Sequence, residues 1–165
     1  MRLFFALWPP AETALALEAW ARTAAEGKVT RTENIHLTLA FLGESDPQKA
    51  IRAAERVRAR AFELRIERAQ YWRENDIVWA GPEAIAPQWR DLVVQLHQGL
   101  HEEGFVLDQR PFAAHITLLR KARRPRTLPP LPPLDWPVSE FLLVRSQVSS
   151  KGSTYEPLRR FMMQA

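Results

Sequence analysis

Residues 34–44, NIHLTLAFLGE, set a histidine and a threonine into a run that otherwise reads as buried strand. Side chains i and i+2 of a strand share a face. His36 and Thr38 therefore point one way, and Leu37 and Leu39 point the other, toward a helix layer. The order returns 79 residues further on, where AHITLLRKA (114–122) places His115, Ile116, Thr117 and Leu118. A single H-x-T on a strand is ordinarily a satisfied, half-buried pair. Two copies in the same context are a pattern.

The context is what makes them copies. RLFFAL (2–7) reads as a buried strand closed by Pro9 and Pro10, and proline suits the first turn of the helix that AETALALEAWARTAAE (11–26) continues to Gly27. Leu15, Leu17 and Trp20 lie in that helix, and the first motif strand follows over 35–42, with Gly43 as its stop. Strand LFFALWPP, helix, strand HLTLAFLG is thus matched by strand IVWAGPE, helix, strand HITLLRKA. A duplicated unit predicts packing about a pseudo-twofold axis, with the two motifs facing each other across a central groove.

Between and after the copies, Asp46 can cap a helix over 47–61 with Pro47 in its first turn. FELRIERAQYW (62–72) alternates as one strand, and a REN turn leads to DIVWAG (76–81). Trp89, Leu92, Val93, Leu96 and Leu100 recur at helical spacing over 86–103, before Gly104. The second motif strand is expected over 112–119. Residues 120–137 read as a basic, proline-rich loop without regular structure. VSEFLLVRSQV (138–148) and YEPLRRFMM (155–163), joined by SSKGST, read as a closing hairpin.

The 165 residues suit a single domain, 1–165, built as two pseudo-symmetric lobes, and such a chain buries ~70% of its unfolded surface without staples. There is no cysteine, which excludes disulfides, thiol nucleophiles and cysteine metal sites. Lysine and arginine total 23 against 19 acidic residues, and only four of the cations are lysine. The arginine fork suits phosphate oxygens, so an anionic partner is compatible with the mild charge of +4. The apolar start is short and cut by prolines, unlike a signal peptide. No run approaches ~18 apolar residues. A cytoplasmic, monomeric protein without membrane contact is expected.

Two imidazoles near their ordinary pKa can act as base and acid in one step. Threonine hydroxyls can donate to the non-bridging oxygens of a phosphoryl group held between the rings. That is the equipment for in-line attack on a phosphodiester without a metal or other cofactor. Activity would then peak between two apparent pKa values near neutrality.

RLFFALWPP, ENIHLTLAFLGE and FAAHITLLR resemble the two-histidine (2H) phosphoesterases, and within them the LigT/ThpR-like RNA 2′,3′-cyclic phosphodiesterases, also called 2′-5′ RNA ligases. The resemblance spans nearly the whole chain, to the S…GSTYEPLRRF segment; the family usually has proline where this chain has Ala114. It implies an α+β, two-lobed fold, with antiparallel sheets lining a central groove and helices outside. It implies opening of a terminal 2′,3′-cyclic phosphate on RNA to a 2′-phosphate. His36 and His115 carry over as the catalytic pair, His115 as base and His36 as acid, although pseudo-symmetry permits the swap. Thr38, Thr117 and Arg120 carry over as phosphate ligands and Phe41 as a surface for the terminal base. Phe41 and Arg120 stand five residues after their histidines, an odd offset that strict alternation sends to the wrong face. Each strand is therefore expected to twist or bulge near its end.

Rival readings share some of these residues. A 2′-5′ RNA ligase would use a 5′-hydroxyl in place of water; a non-catalytic RNA-end binding module would need the clamp without a poised base. A metallohydrolase would lose activity to chelators. His97 and His101 are four apart on a helix, but Gln98 replaces the glutamate of a zinc helix and no third ligand is evident, so both read as structural or solvated. The stretch from Arg120 to Arg126 could follow an RNA backbone or be plain solvated loop. Trp72, Trp79, Trp89 and Trp136 read as core. No phosphate-binding G-x-x-x-x-G-K-[ST] loop or K-x-D-G motif supports an ATP-driven ligase. The substrate could be tRNA halves, small oligonucleotides or a small cyclic nucleotide.

Overall fold

RLFFAL is apolar at five consecutive positions because its strand is buried on both faces. The computed structural model describes residues 1–108 and 113–165. In chain order the elements are β1 (Arg2–Leu7), α1 (Ala11–Ala24), β2 (Lys28–Val29), β3 (Leu37–Glu44), α2 (Pro47–Glu55), β4 (Phe62–Ile66) and β5 (Arg68–Trp72). There follow β6 (Ile77–Gly81), α3 (Pro87–Glu102), β7 (Ile116–Arg120), β8 (Leu134–Val138), β9 (Glu140–Ser149) and β10 (Gly152–Met162). The main sheet runs β10-β9-β1-β3-β7-β6-β5, with β2 added to β7. Every described pairing of named strands is antiparallel.

The repeated strand–helix–strand order appears as β1-α1-β3 and β6-α3-β7. The inner strands of the two copies, β3 and β7, meet through one register pair, Leu37 opposite Ile116. On the helix-facing side Leu3, Phe5, Leu7, Leu37, Leu39, Ile116 and Leu118 are buried in one core with Leu17 and Trp20 of α1 and Trp89, Leu92, Leu96 and Leu100 of α3. Phe4, Ala6, Leu142 and Val144 form a smaller cluster with Trp8 and Tyr155. The five buried β1 side chains thus alternate between two layers. The helix faces follow their spacing, except that Leu15 is on the solvent side of α1 at 58% exposure.

Several boundaries differ from the sequence expectations, among them the first motif strand, which begins at Leu37 and runs through Gly43 to Glu44 instead of stopping before it. The second helix is capped by Asp46, whose Oδ1 accepts from Gln48 N at 2.9 Å, but α2 stops at Glu55 instead of reaching 61. There Arg58 N turns away to donate to Gln95 Oε1 on α3. Residues 62–72 are two strands in different sheets: β4 pairs β8, β5 pairs β6, and Glu67 N donates to Gly81 O at the break. Both halves alternate, so periodicity alone cannot reveal a change of partner. The proline-rich stretch ends as strand β8, with Pro137 tolerated in a two-stranded sheet that asks little of its N–H side. Trp136 is consequently core, at 2% exposure. The second motif strand begins at Ile116; the expected start at 112, and Phe112 of its motif, lie outside the described residues.

Candidate active site

Each motif histidine sits one residue before its strand, and each is held in the same way. His36 Nδ1 lies 2.7 Å from Asn34 O, and His115 Nδ1 lies 3.1 Å from Ala113 O. A carbonyl only accepts, so each neutral ring carries its proton on Nδ1 and keeps the Nε2 lone pair free. Both rings, Thr38 and Thr117 line one cavity of about 550 Å³, together with Phe41 and Arg120.

The parity problem at Phe41 and Arg120 is resolved by two matching bulges. Between Ala6–Thr38 and Phe5–Ala40 the register skips Leu39, and between Val78–Leu119 and Trp79–Thr117 it skips Leu118. One extra residue flips the alternation. The exposure sequence from Leu37 to Phe41 is then the same as that from Ile116 to Arg120: buried, half-buried, buried, buried, exposed. Phe41 and Arg120 are therefore equivalent positions of the two repeats. Both join the groove face after two consecutive buried residues.

A skipped residue still has a carbonyl to satisfy. Leu118 O accepts from Thr30 N at 2.8 Å, while Leu39 O has His97 Nε2 at 3.0 Å. His97 is thus the structural residue its sequence context suggested, with a definite task. His97→Leu should leave the buried Leu39 carbonyl short of a donor. A loss of about 1–3 kcal/mol in urea unfolding is expected, with His97→Gln recovering part of it. His101 is exposed in the last turn of α3.

The two rings differ in their surroundings. Trp8 stacks flat on His36 at 4.7 Å, and Phe4 and Tyr155 close in at 5.0 and 5.2 Å. Trp72 meets His115 edge-on at 4.7 Å, and Trp79 does so at 6.2 Å. Burial pushes His36 down to about 4, against the raising effect of Asn34 O, with Arg120 and His115 adding to the depression. His115 is lowered too, first by burial and then by Arg120, with Ala113 O opposing. Arg120 therefore acts on both rings.

A depressed histidine makes the fold acid-sensitive. The unfolded chain binds the His36 proton at higher pH than the native state does, so the stabilisation is complete above about pH 6.5 and disappears as pH falls toward 4. Urea midpoints should show wild type losing about 2 kcal/mol more than His36→Phe between pH 7 and pH 4.5.

The sequence reading missed most of the remaining wall. Arg2, Lys28, Arg31 and Lys151 also line the cavity, and among the described residues no carboxylate lines it. Asn34 Nδ2 donates to Ser153 O at 3.2 Å and Arg31 Nη2 to Lys151 O at 3.5 Å, tying the residues before β3 to the β9–β10 turn. Scattered cations without a motif leave no sequence signal. Of the stretch Arg120 to Arg126, only Arg120 lines the cavity, and Arg123 pairs with Glu26 at 3.1 Å. Among the described residues no cluster of three His, Cys, Asp or Glu is arranged to hold a metal ion, and no helix is long and apolar enough to cross a membrane.

An α+β groove with two opposed H-x-T motifs defines a phosphoesterase of the two-histidine class, and comparison with known proteins agrees. A family model described as LigT like phosphoesterase matches residues 7–79. The RNA 2′,3′-cyclic phosphodiesterase of Escherichia coli is 35% identical over 98% of this chain and 96% of its own length. The protein of the same description from Thermus thermophilus is 34% identical over 99% and 90%. The crystal structure of E. coli LigT complexed with 3′-AMP superposes with a TM-score of 0.90 at 32% identity, covering 99% of this chain and 98% of that one. The chain belongs to the LigT-like phosphoesterase family.

Proposed function

We propose that this chain is an RNA 2′,3′-cyclic phosphodiesterase that opens terminal cyclic phosphates to 2′-phosphates by two-histidine acid–base catalysis without a metal. The observation that carries the reading is the pair of H-x-T motifs on one cavity, each imidazole fixed by a carbonyl on Nδ1. The relatives named for this activity cover nearly the whole chain, which supports it. The reading of residues 1–165 as one domain of two pseudo-symmetric lobes is supported by the matching bulges on either side of Leu37 and Ile116.

In this mechanism the cyclic phosphate lies between Thr38 and Thr117, whose hydroxyls donate to its non-bridging oxygens, with Arg120 as counter-charge. Phe41 offers its exposed ring to the terminal base. His115 Nε2 takes a proton from water as its oxygen bonds to phosphorus; the bond to the 3′-oxygen breaks, and His36 Nε2 protonates that oxygen. The products are a 2′-phosphate and a 3′-hydroxyl, and exchange with solvent resets both rings. The assignment of His36 as acid and His115 as base follows the resemblance to the family, and the pseudo-symmetry of the two motifs permits the swap.

The test is a short RNA ending in 2′,3′-cyclic phosphate, incubated with excess EDTA, with the product isomer mapped. Full turnover to a 2′-phosphate is expected. Loss of activity restored by zinc or manganese would end the two-histidine reading, and a wholly 3′-phosphate product would reverse the seating of the cyclic end.

A further inference from the structure

Lys28 and Arg120 are directly opposite each other across the β2–β7 ladder. Like charges in that position, with Cβ atoms about 5 Å apart, destabilise a sheet unless something neutralises them. Both line the groove. Among the described residues neither has a carboxylate within ion-pair distance, and the same is true of Arg2 and Lys151. The placement is built into the chain. β2 is only two residues long, and it approaches β7 through Gly27, where a Cβ would meet Arg120 O at 2.9 Å and Leu119 Cδ2 at 2.7 Å. A side chain at Gly27 would push Lys28 away from Arg120.

A terminal cyclic phosphate carries one negative charge, which Arg120 and the two threonines already accommodate in the mechanism above. Lys28, beside Arg120, is surplus to that requirement. The cyclic phosphate occupies the 2′ and 3′ oxygens, so the ligand can extend only from the 5′-oxygen of its terminal nucleoside. We propose that Lys28 forms a second phosphate subsite, adjoining Arg120, for a phosphate on the 5′-oxygen of the terminal nucleoside, with Lys151, which lines the same groove, adding to its field. This rests on the proposed cyclic phosphodiesterase reading and names the part of the substrate that reading leaves open. The enzyme then prefers an end that carries a further phosphate over a bare cyclic mononucleotide.

Binding rather than turnover makes the test. Titration calorimetry with adenosine 3′-phosphate, adenosine 3′,5′-bisphosphate and the dinucleotide ApAp measures the gain from the added phosphate. The bisphosphate and ApAp should both bind about tenfold more tightly than the monophosphate, and Lys28→Gln should remove most of that gain. The salt dependence of the gain should flatten by about 0.7 in log–log slope, one single-strand phosphate contact. Arg123→Gln removes the same charge outside the cavity and should leave the gain intact. Lys28→Gln should also raise the melting temperature of the free protein, by relieving the repulsion with Arg120. A gain seen with ApAp but not with the bisphosphate would assign it to the upstream nucleoside and overturn the subsite. So would an equal loss in Lys28→Gln and Arg123→Gln, which would mean a general field. If cyclic ends bind with the gain but are not opened, the subsite stands and the catalytic reading fails.

Discussion

Replacing His36 or His115 with alanine is expected to slow opening of a 2′,3′-cyclic phosphate by roughly 10²–10⁴, the range of a lost general acid or base. Each ring is fixed by a backbone carbonyl on Nδ1, which leaves its Nε2 for proton transfer. The double variant should be barely slower than either single one, because one step needs both rings. The pH profile carries a second signature. Burial lowers both imidazoles, so in the free enzyme both are neutral at pH 7, which suits a base and leaves the acid scarce. The dependence of kcat/KM, which reports the free enzyme, should therefore peak on the acid side of neutrality. The ordinary imidazole value read from sequence alone would centre it higher. A bound phosphate favours imidazolium, so the kcat profile should lie at higher pH than the kcat/KM profile. The two limits belong to the coupled pair. A flat profile from pH 5 to 9, or near-normal turnover by either single variant, would contradict acid–base pairing and favour a binding module.

Exchanging Thr38 or Thr117 for valine is expected to cost about 10²–10³ in kcat, the loss seen when one donor to a developing oxyanion is removed. Valine keeps the branched shape beside Leu37 and Leu39, or Ile116 and Leu118, so the strands and the core behind them should be undisturbed. In the proposed mechanism the hydroxyls face charge that builds on the non-bridging oxygens as water attacks, so the deficit should be larger in kcat than in KM. Steady-state kinetics on a short cyclic-ended RNA separates the two. A rise in KM with kcat unchanged would make the threonines ground-state phosphate ligands and nothing more. Serine at either position should restore most of the rate, since it returns the donor.

Local sequence was sufficient for the parts of this protein governed by short-range rules. Alternation placed His36 with Thr38 and His115 with Thr117, because a pleated strand has a period of two. Helical spacing selected the buried face of α3, and Asp46 followed by Pro47 marked the start of α2. The repeated order of elements anticipated that the motif strands would come together, since equivalent units bury equivalent faces. Even the bulges were legible as a demand: an odd offset to Phe41 and Arg120 requires one extra residue.

What satisfied that demand was decided only in three dimensions. Leu39 O is met by His97 from a helix 58 positions along the chain, and Leu118 O by Thr30 from 88 positions earlier. No periodicity connects such partners. The splitting of 62–72 between two sheets and the use of Pro137 in a strand were likewise set by which neighbour was available. The cations around the groove come from β1, β2, the segment before β3 and the β9–β10 turn, each unremarked in its own stretch. The depression of His36 belongs to the same category. It arises because Phe4 and Trp8 from the N-terminal segment and Tyr155 from β10 close around one ring and withdraw it from water. Residue identity supplies the imidazole, and the assembled fold sets the free energy of its proton.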